Sequence, residues 1–174
     1  KEQLIGHGSL SEKLGIITEA VVKIYDADFA RIWITKEGDL CEKGCSHTRG
    51  SKGPHVCRDH SRCLHLVASS GRYTQLDGNH RRVPLGAYKI GNIASGRDAS
   101  FLTNDVIHDP SVHDHEWAET LGLVSFAGFR LISPDGSPIG VLALFKKQRI
   151  APEELRFLED LANTTSQVIR SSMA

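Results

Sequence analysis

The side chains best suited to chemistry in this sequence are its cysteines, which all lie in one short stretch. They follow the spacing C-x3-C-x11-C-x5-C, and they are Cys41, Cys45, Cys57 and Cys63. Thiolates bind soft and borderline metals tightly. In a cytosolic chain such a cluster indicates a metal site before it indicates disulfides.

Zinc in a closed tetrahedral site of four thiolates is the first interpretation of this cluster. An iron–sulfur cluster uses the same ligands and is the second interpretation. The spacing matches neither the C-x2-C pairs of common zinc modules nor the ferredoxin pattern, so it favours a metal without identifying it. Disulfides or free thiols are the remaining alternative. A histidine could replace one cysteine, and the interleaved candidates are His47, His55 and His60.

The sequence around the cysteines indicates why a metal would be needed. Residues 36–63 contain almost no large apolar side chain. A connection of this length is uncommon in a compact domain unless something orders it, and metal–thiolate bonds would supply that energy. We therefore expect a cysteine-rich insertion over residues 36–63.

A second group of reactive side chains lies in residues 108–117, which include His108, His113, His115 and Trp117. Positions 113 and 115 do not share a helix face, so a paired helical metal site is disfavoured. A small planar or anionic ligand could instead stack on Trp117 and meet an imidazole. No Ser/His/Asp arrangement and no carboxylate pair stands out as a catalytic constellation.

The elements that must position these groups are organised around a predicted antiparallel hairpin at residues 123–146. Two β-type runs, residues 124–132 and 139–145, flank a loop dense in turn formers. The second run is apolar on both sides, and such strands lie in the middle of a sheet that is covered on both faces. Arg130 is unusual on a central strand, because a buried guanidinium needs an anion, either an Asp or a ligand.

Two amphipathic helices are predicted near the ends of the chain. Ser9 and Glu12 form a capping-box pattern before a helix over residues 10–25, and Pro152 suits the first position of a helix over residues 152–172. Each helix carries a narrow apolar stripe. The two helices could cover one face of the sheet and pair across a dimer axis, or they could simply cap their own sheet.

The composition limits the classes of partner. The 21 basic and 21 acidic residues cancel, and the pI is near 7.3. This balance removes the usual electrostatic argument for nucleic acid or an anionic membrane. The apolar runs are too short to cross a bilayer. We expect a single cytoplasmic domain over residues 1–174.

The order of the remaining motifs resembles a GAF domain. The resemblance covers about residues 10–170 and depends on a series of short motifs. They are Val83-Pro-Leu-Gly86, Ile90-Gly-Asn-Ile-Ala-Ser-Gly96, Leu102-Thr-Asn-Asp-Val106, His108-Asp-Pro110, Leu121-Gly-Leu-Val-Ser125 and the strand ending at Phe145. It implies an α+β fold: a PAS-like antiparallel sheet with the terminal helices on one face and a ligand pocket under short helices on the other.

The resemblance also implies a function. GAF domains are typically sensory or regulatory inputs of bacterial histidine kinases, cyclases and transcription activators, and they commonly form homodimers through their terminal helices. It implies an unknown small-molecule ligand and an output domain in the parent chain. The residues that would line the pocket are Tyr88, Phe101, His113, His115, Trp117, Phe126 and Arg130.

Several departures from known GAF types narrow this expectation. No cysteine follows Cys63, which argues against a covalent bilin. The Asn-Lys-Phe-Asp-Glu set of cyclic-nucleotide GAF domains is not found. Free methionine sulfoxide reductases are GAF enzymes whose catalytic cysteines reach the pocket, and the clustered cysteines here argue against that activity without excluding it. We expect a non-catalytic input domain, with the reductase as an alternative.

Overall fold

The fold is built on one antiparallel sheet, seen in a computed structural model that describes residues 8–40, 62–78, 80–96, 98–112 and 114–173. The described residues form six strands, which are β1 (Phe29–Glu37), β2 (Arg62–Gly71), β3 (Arg82–Val83), β4 (Ser100–Thr103), β5 (Ser125–Ile132) and β6 (Pro138–Lys146). Their order across the sheet is β3-β2-β1-β6-β5-β4. Strands β1 and β6 are therefore neighbours at the centre of the sheet.

The predicted hairpin is present as strands β5 and β6. The two strands pair antiparallel from Ser125 opposite Lys146 to Ile132 opposite Pro138. In the connecting turn, the Asp135 carboxylate accepts a hydrogen bond from the Ser137 amide at 3.0 Å, and Gly136 has a φ of +86°. Glycine is the residue that adopts this left-handed conformation without a steric penalty. The turn residues thus close the hairpin.

Helices cover both faces of the sheet, as the resemblance implied. The described helices are α1 (Leu10–Tyr25), α2 (Tyr88–Ser95), α3 (His115–Leu121) and α4 (Pro152–Met173). The terminal helices α1 and α4 pack on one face, where Leu14 and Leu158 share a core with Ile32 and Leu142. Helices α2 and α3 cover the other face, where Ile93 and Ala118 share a second core. This arrangement confirms the α+β fold class.

Helix α1 begins and attaches to the sheet through hydroxyl groups. Ser9 and Glu12 form both hydrogen bonds of the capping box, each at 3.1 Å. Further along the helix, the Thr18 and Ser70 hydroxyls lie 2.6 Å apart and join α1 to strand β2. Both groups are buried, so this hydrogen bond satisfies two polar groups that would otherwise oppose folding.

Helix α2 lies unusually close to strand β5. A Cβ atom added at Gly128 would lie 2.5 Å from Cδ1 of Ile93 and 3.2 Å from Cζ of Phe126. Any larger residue at Gly128 would therefore force the Ile93 side chain or the Phe126 ring to move. None of the helices in the described ranges has the length and apolar character needed to cross a bilayer.

The start of helix α4 is attached to the sheet and to the chain that follows β4. The Asn104 side chain makes two hydrogen bonds with the backbone of Ile150, accepting from its amide at 2.7 Å and donating to its carbonyl at 3.2 Å. The buried ammonium group of Lys146 lies 2.8 Å from a carboxylate oxygen of Glu154. The other carboxylate oxygen accepts a hydrogen bond from the Ala151 amide at 2.9 Å.

The pair Lys146–Glu154 provides a test of these attachments. Burial alone would raise the pKa of Glu154, but the hydrogen bonds from Ala151 and Lys146 outweigh it and lower the pKa. Glu154→Gln should reduce the free energy of unfolding by about 2–3 kcal/mol at neutral pH, because Lys146 then stays buried without a counter-charge. Urea unfolding measures this change.

The pH dependence of the same variant is also expected. A carboxylate whose pKa is lowered in the folded state stabilises the fold above its unfolded pKa, near 4.5, and this contribution is lost as the pH falls through the folded pKa. The difference between the wild type and the variant should therefore shrink below that pH. The neighbouring exposed residue provides the control, Glu153→Gln. Equal losses in both variants would contradict the role given to Glu154.

Candidate functional site

The sheet face under α2 and α3 carries a continuous row of aromatic rings. We call this the aromatic row; its members, in order, are Tyr73, Phe29, Phe145, Phe126 and Phe101. Successive ring centroids are 5.0, 5.1, 4.8 and 6.0 Å apart. These separations lie in the range of favourable aromatic pairs. The row joins strands from both halves of the sheet to the segment that follows β2.

Trp117 of helix α3 packs against the middle of the aromatic row. Its ring centroid is 6.0 Å from that of Phe29 and 5.3 Å from that of Phe145. Its indole N–H donates a hydrogen bond to the Tyr73 hydroxyl at 3.1 Å. Asp114 caps α3 by accepting from the Trp117 amide at 3.0 Å, which holds the start of this short helix in place. Helix α3 thus positions Trp117 as a lid residue on the row.

Cationic side chains lie at both ends of the aromatic row. The Lys89 ammonium is 3.5 Å from the ring centroid of Phe101. At the other end, the Arg31 guanidinium carbon is 5.5 Å from the Phe29 centroid and 5.4 Å from the Tyr73 centroid. Cations over aromatic faces are attracted by the ring quadrupole. This face of the sheet therefore combines apolar ring surfaces with two positive charges.

Arg31 is one of the residues of this face that the sequence pattern did not single out. It lies on central strand β1 between Phe29 and Trp33, and its Nε donates to the Ser69 hydroxyl at 3.1 Å. Burial lowers its pKa. Within the described ranges, no carboxylate forms an ion pair with Arg31. The available signal was the alternation of arginine with aromatic residues along a strand expected to be covered.

Arg130 has partners other than the anion that the sequence predicted. Its Nε donates to the carbonyl of Ile93 at 2.7 Å, and its Nη2 donates to the carbonyls of Gly96 and, at 3.3 Å, Asp98. These carbonyls lie at or just beyond the end of helix α2, where the unpaired oxygens carry partial negative charge. Carbonyl oxygens therefore take the place of the expected Asp, and the guanidinium caps a helix.

The other predicted pocket residues are distributed over this face. Phe101 and Phe126 belong to the aromatic row. Tyr88 packs instead on His80, with ring centroids 5.2 Å apart, and has a left-handed φ of +56° at the first position of α2. His115 lies with its Nε2 2.6 Å from the Asp109 carbonyl. His113 is outside the described residues. Among the described members of the predicted set, the structure brings Phe101 and Phe126 together, whereas Tyr88 and His115 contact other residues.

The cysteine cluster is described only at Cys63. This residue is buried and lies in strand β2 opposite Lys36, rather than in the preceding connection. The other proposed ligands lie outside the described residues, and they are Cys41, Cys45, Cys57, His47, His55 and His60. Among the described residues, no group of three or more His, Cys, Asp or Glu side chains could hold a metal ion.

The two ends of the cysteine-bearing segment meet at paired strand positions. Glu37 at the end of β1 is opposite Arg62 at the start of β2. Asp39, two residues further on, forms two hydrogen bonds with Arg82 at 2.8 and 2.7 Å. His65 lies with its Nε2 2.8 Å from the Glu37 carbonyl, and burial lowers the pKa of this imidazole. The base of the segment is therefore well fixed to the sheet.

The fold is that of a known family. A model of the GAF domain family matches residues 7–170, so the chain belongs to this family. No curated protein sequence matches the chain significantly.

Solved structures with this fold include regulatory-type domains and enzymes. The GAF domain of a phosphoenolpyruvate-protein phosphotransferase from Acinetobacter superimposes with a TM-score of 0.69 at 18% identity, covering 99% of this chain and 89% of that chain. The equivalent domain from Coxiella burnetii gives the same values. A free methionine-R-sulfoxide reductase from Neisseria meningitidis, solved with its substrate, has a TM-score of 0.66 at 15% identity, covering 99% of this chain and 85% of that chain. At these identities the likeness shows the fold alone.

The helix-capping role of Arg130 leads to a testable expectation. Arg130→Met should lower the free energy of unfolding by about 2 kcal/mol, because the carbonyls at the end of α2 lose a charged donor. Amide hydrogen exchange in the variant should also become faster than in the wild type, and the increase should be larger in α2 than in α1. The exposed Arg149 provides the control, Arg149→Met. Unchanged stability and unchanged exchange in α2 would show that the cap contributes nothing.

Proposed function

We propose that this GAF domain is a non-catalytic sensory or regulatory input of a bacterial signal-transduction protein such as a histidine kinase. Its ligand site is the face that carries the aromatic row. The observation that supports this best is the combination of ring surfaces, a tryptophan lid and flanking cations on one covered face. Such a surface can bind the apolar body of a small molecule and recognise its polar groups.

The position of Cys63 favours a regulatory domain over a reductase. Successive side chains of a strand point to opposite faces of the sheet. Leu64 contributes to the core under the aromatic row, so Cys63 is directed to the other face. A thiol that reduced a ligand bound at the row would have to reach the face that carries the row. Two structural neighbours named as free methionine-R-sulfoxide reductases nevertheless keep that activity as the second candidate.

We further propose that Cys41, Cys45, Cys57 and Cys63 bind one metal ion, with zinc the first choice and an iron–sulfur cluster the alternative. Paired strand positions hold the two ends of residues 38–61 together, which favours closure of a site by ligands along this segment. Thiolate bonds would supply folding energy to a segment poor in apolar side chains. Cys63, held in strand β2, would be the ligand fixed to the sheet.

Elemental analysis and an absorption spectrum of protein purified without air test the metal proposal. We expect about one zinc per chain without visible absorbance. Cys41→Ser should lose the metal and the associated stability, whereas Ser46→Ala in the same segment should keep both. Iron with sulfide and a brown colour would establish the cluster instead. Protein without metal that turns over free methionine sulfoxide, with activity lost in Cys57→Ser, would favour the reductase.

The terminal helices are proposed to form a homodimer interface. Ile24 of α1 and Phe157 of α4 are exposed by 71% and 60%, although both are large apolar residues. The two helices pack side by side, and Tyr25 is near Glu154 and Asp160: burial, together with these carboxylates, raises the tyrosine pKa. A second copy could cover this apolar surface.

Phe157→Glu tests the dimer. The dissociation constant of the proposed dimer should rise by at least about a hundredfold, because burial of an exposed phenylalanine contributes about 1.5–3 kcal/mol in each of two copies. Light scattering over a concentration series measures this change. Leu76 is also exposed but lies in the segment between β2 and β3, so Leu76→Glu is the control. A wild-type chain that is monomeric at all concentrations would contradict the proposal.

A further inference from the structure

Arg31 occupies a position where a charged residue opposes folding. Strand β1 is central in the sheet, and the neighbouring residues on the same face, Phe29 and Trp33, are 5% and 3% exposed. Burial lowers the pKa of Arg31, which shows that its environment disfavours the charged form. A guanidinium keeps its charge in proteins, so the fold bears this cost at all physiological pH values.

The partners of Arg31 within the described ranges compensate only part of this cost. Its Nε donates to the Ser69 hydroxyl, and its plane lies near the rings of Phe29 and Tyr73. The two terminal amino groups, Nη1 and Nη2, make no hydrogen bond with a described residue. Neither nitrogen is a fully buried atom without a partner, so both have solvent-accessible surface. Arg130 differs from Arg31, because its guanidinium donates hydrogen bonds to three carbonyls.

These unused donors have a definite geometry. Nη1 and Nη2 of an arginine lie in one plane and together match the two oxygens of a carboxylate. The Tyr73 hydroxyl accepts its hydrogen bond from Trp117, so its own proton is available to a further acceptor. The neighbouring Tyr73 is partly exposed and offers contact to an apolar group.

We propose that Arg31 binds the carboxylate of a small ligand at the end of the aromatic row, an inference that rests on the proposed ligand-binding role of this face. The carboxylate accepts hydrogen bonds from the two terminal amino groups of Arg31, and the apolar body of the ligand lies against Tyr73. A monoanion matches the single charge of Arg31. A dianionic phosphate would need further cations, and Lys89 lies at the opposite end of the row.

Titration calorimetry with matched probes tests the inference. The carboxylates are acetate, butyrate and phenylacetate; phenylacetamide is the neutral equivalent of the last, and phenyl phosphate supplies the dianion. We expect at least one carboxylate to bind, the amide to bind at least about tenfold more weakly, and Arg31→Met to weaken carboxylate binding by at least about tenfold, because a charge-assisted bidentate pair is lost. Arg31→Lys keeps the charge without the planar fork and should bind with intermediate affinity.

Thermal unfolding of the same variants separates binding from a structural role. Arg31→Met should keep or raise the melting temperature, since it removes a poorly compensated charge from a covered face. A ligand at this position should also change the fluorescence of the nearby Trp117. Arg149→Met is the control for removal of an arginine charge, and it should bind the carboxylate like the wild type.

Three results would overturn the inference: equal carboxylate affinity in Arg31→Met and the wild type, equal affinity for the carboxylate and its amide, or tighter binding of phenyl phosphate. In these cases the face still binds small molecules, so the proposed function stands and only the role of Arg31 falls. No binding of any probe would overturn the role of Arg31 and count against the proposed ligand site as well.

Discussion

The structure depends on one constraint, which is that the central strands of the sheet are apolar on both faces. Strand β6 is buried along almost its whole length, and β1, its neighbour, is buried on both faces along most of its length. Neither face can be left to water, so the chain must supply a cover for each. The terminal helices supply one cover and the two short helices the other. The two covers enclose different side chains. The core under the first is mostly aliphatic, and the core under the second is rich in aromatic rings, with a cation at each end of the aromatic row.

Local pattern was sufficient to predict the parts of this fold that local residues determine. The capping box at Ser9, the start of α4 at Pro152 and the turn at Gly136 each follow from a few adjacent residues, and the structure has each of them. The apolar residues on both faces of β6 also predicted that the hairpin lies in the middle of the sheet. These features depend on backbone geometry and on periodicity, which a single sequence displays directly.

The contacts of the candidate site could not be predicted in the same way, because they join segments that are distant in the sequence. The aromatic row draws its rings from four strands and one connecting segment, and Arg130 meets carbonyls of a helix that ends more than thirty residues earlier. An anion was expected beside Arg130, because the sequence does not show that a helix end lies there. Arg31 was not singled out, because an arginine on a strand is unusual only when both faces of that strand are covered.

The double hydrogen bond between Asn104 and Ile150 makes a mechanical linkage between the two covers. Asn104 directly follows β4 and precedes the segment that leads to α3, whereas Ile150 lies two residues before α4 begins. The side-chain amide of Asn104 binds both the N–H and the C=O of Ile150. The two chain segments therefore cannot separate without breaking both hydrogen bonds. The segment after β4 and the start of the last helix are therefore joined directly, by a contact that does not run through the sheet.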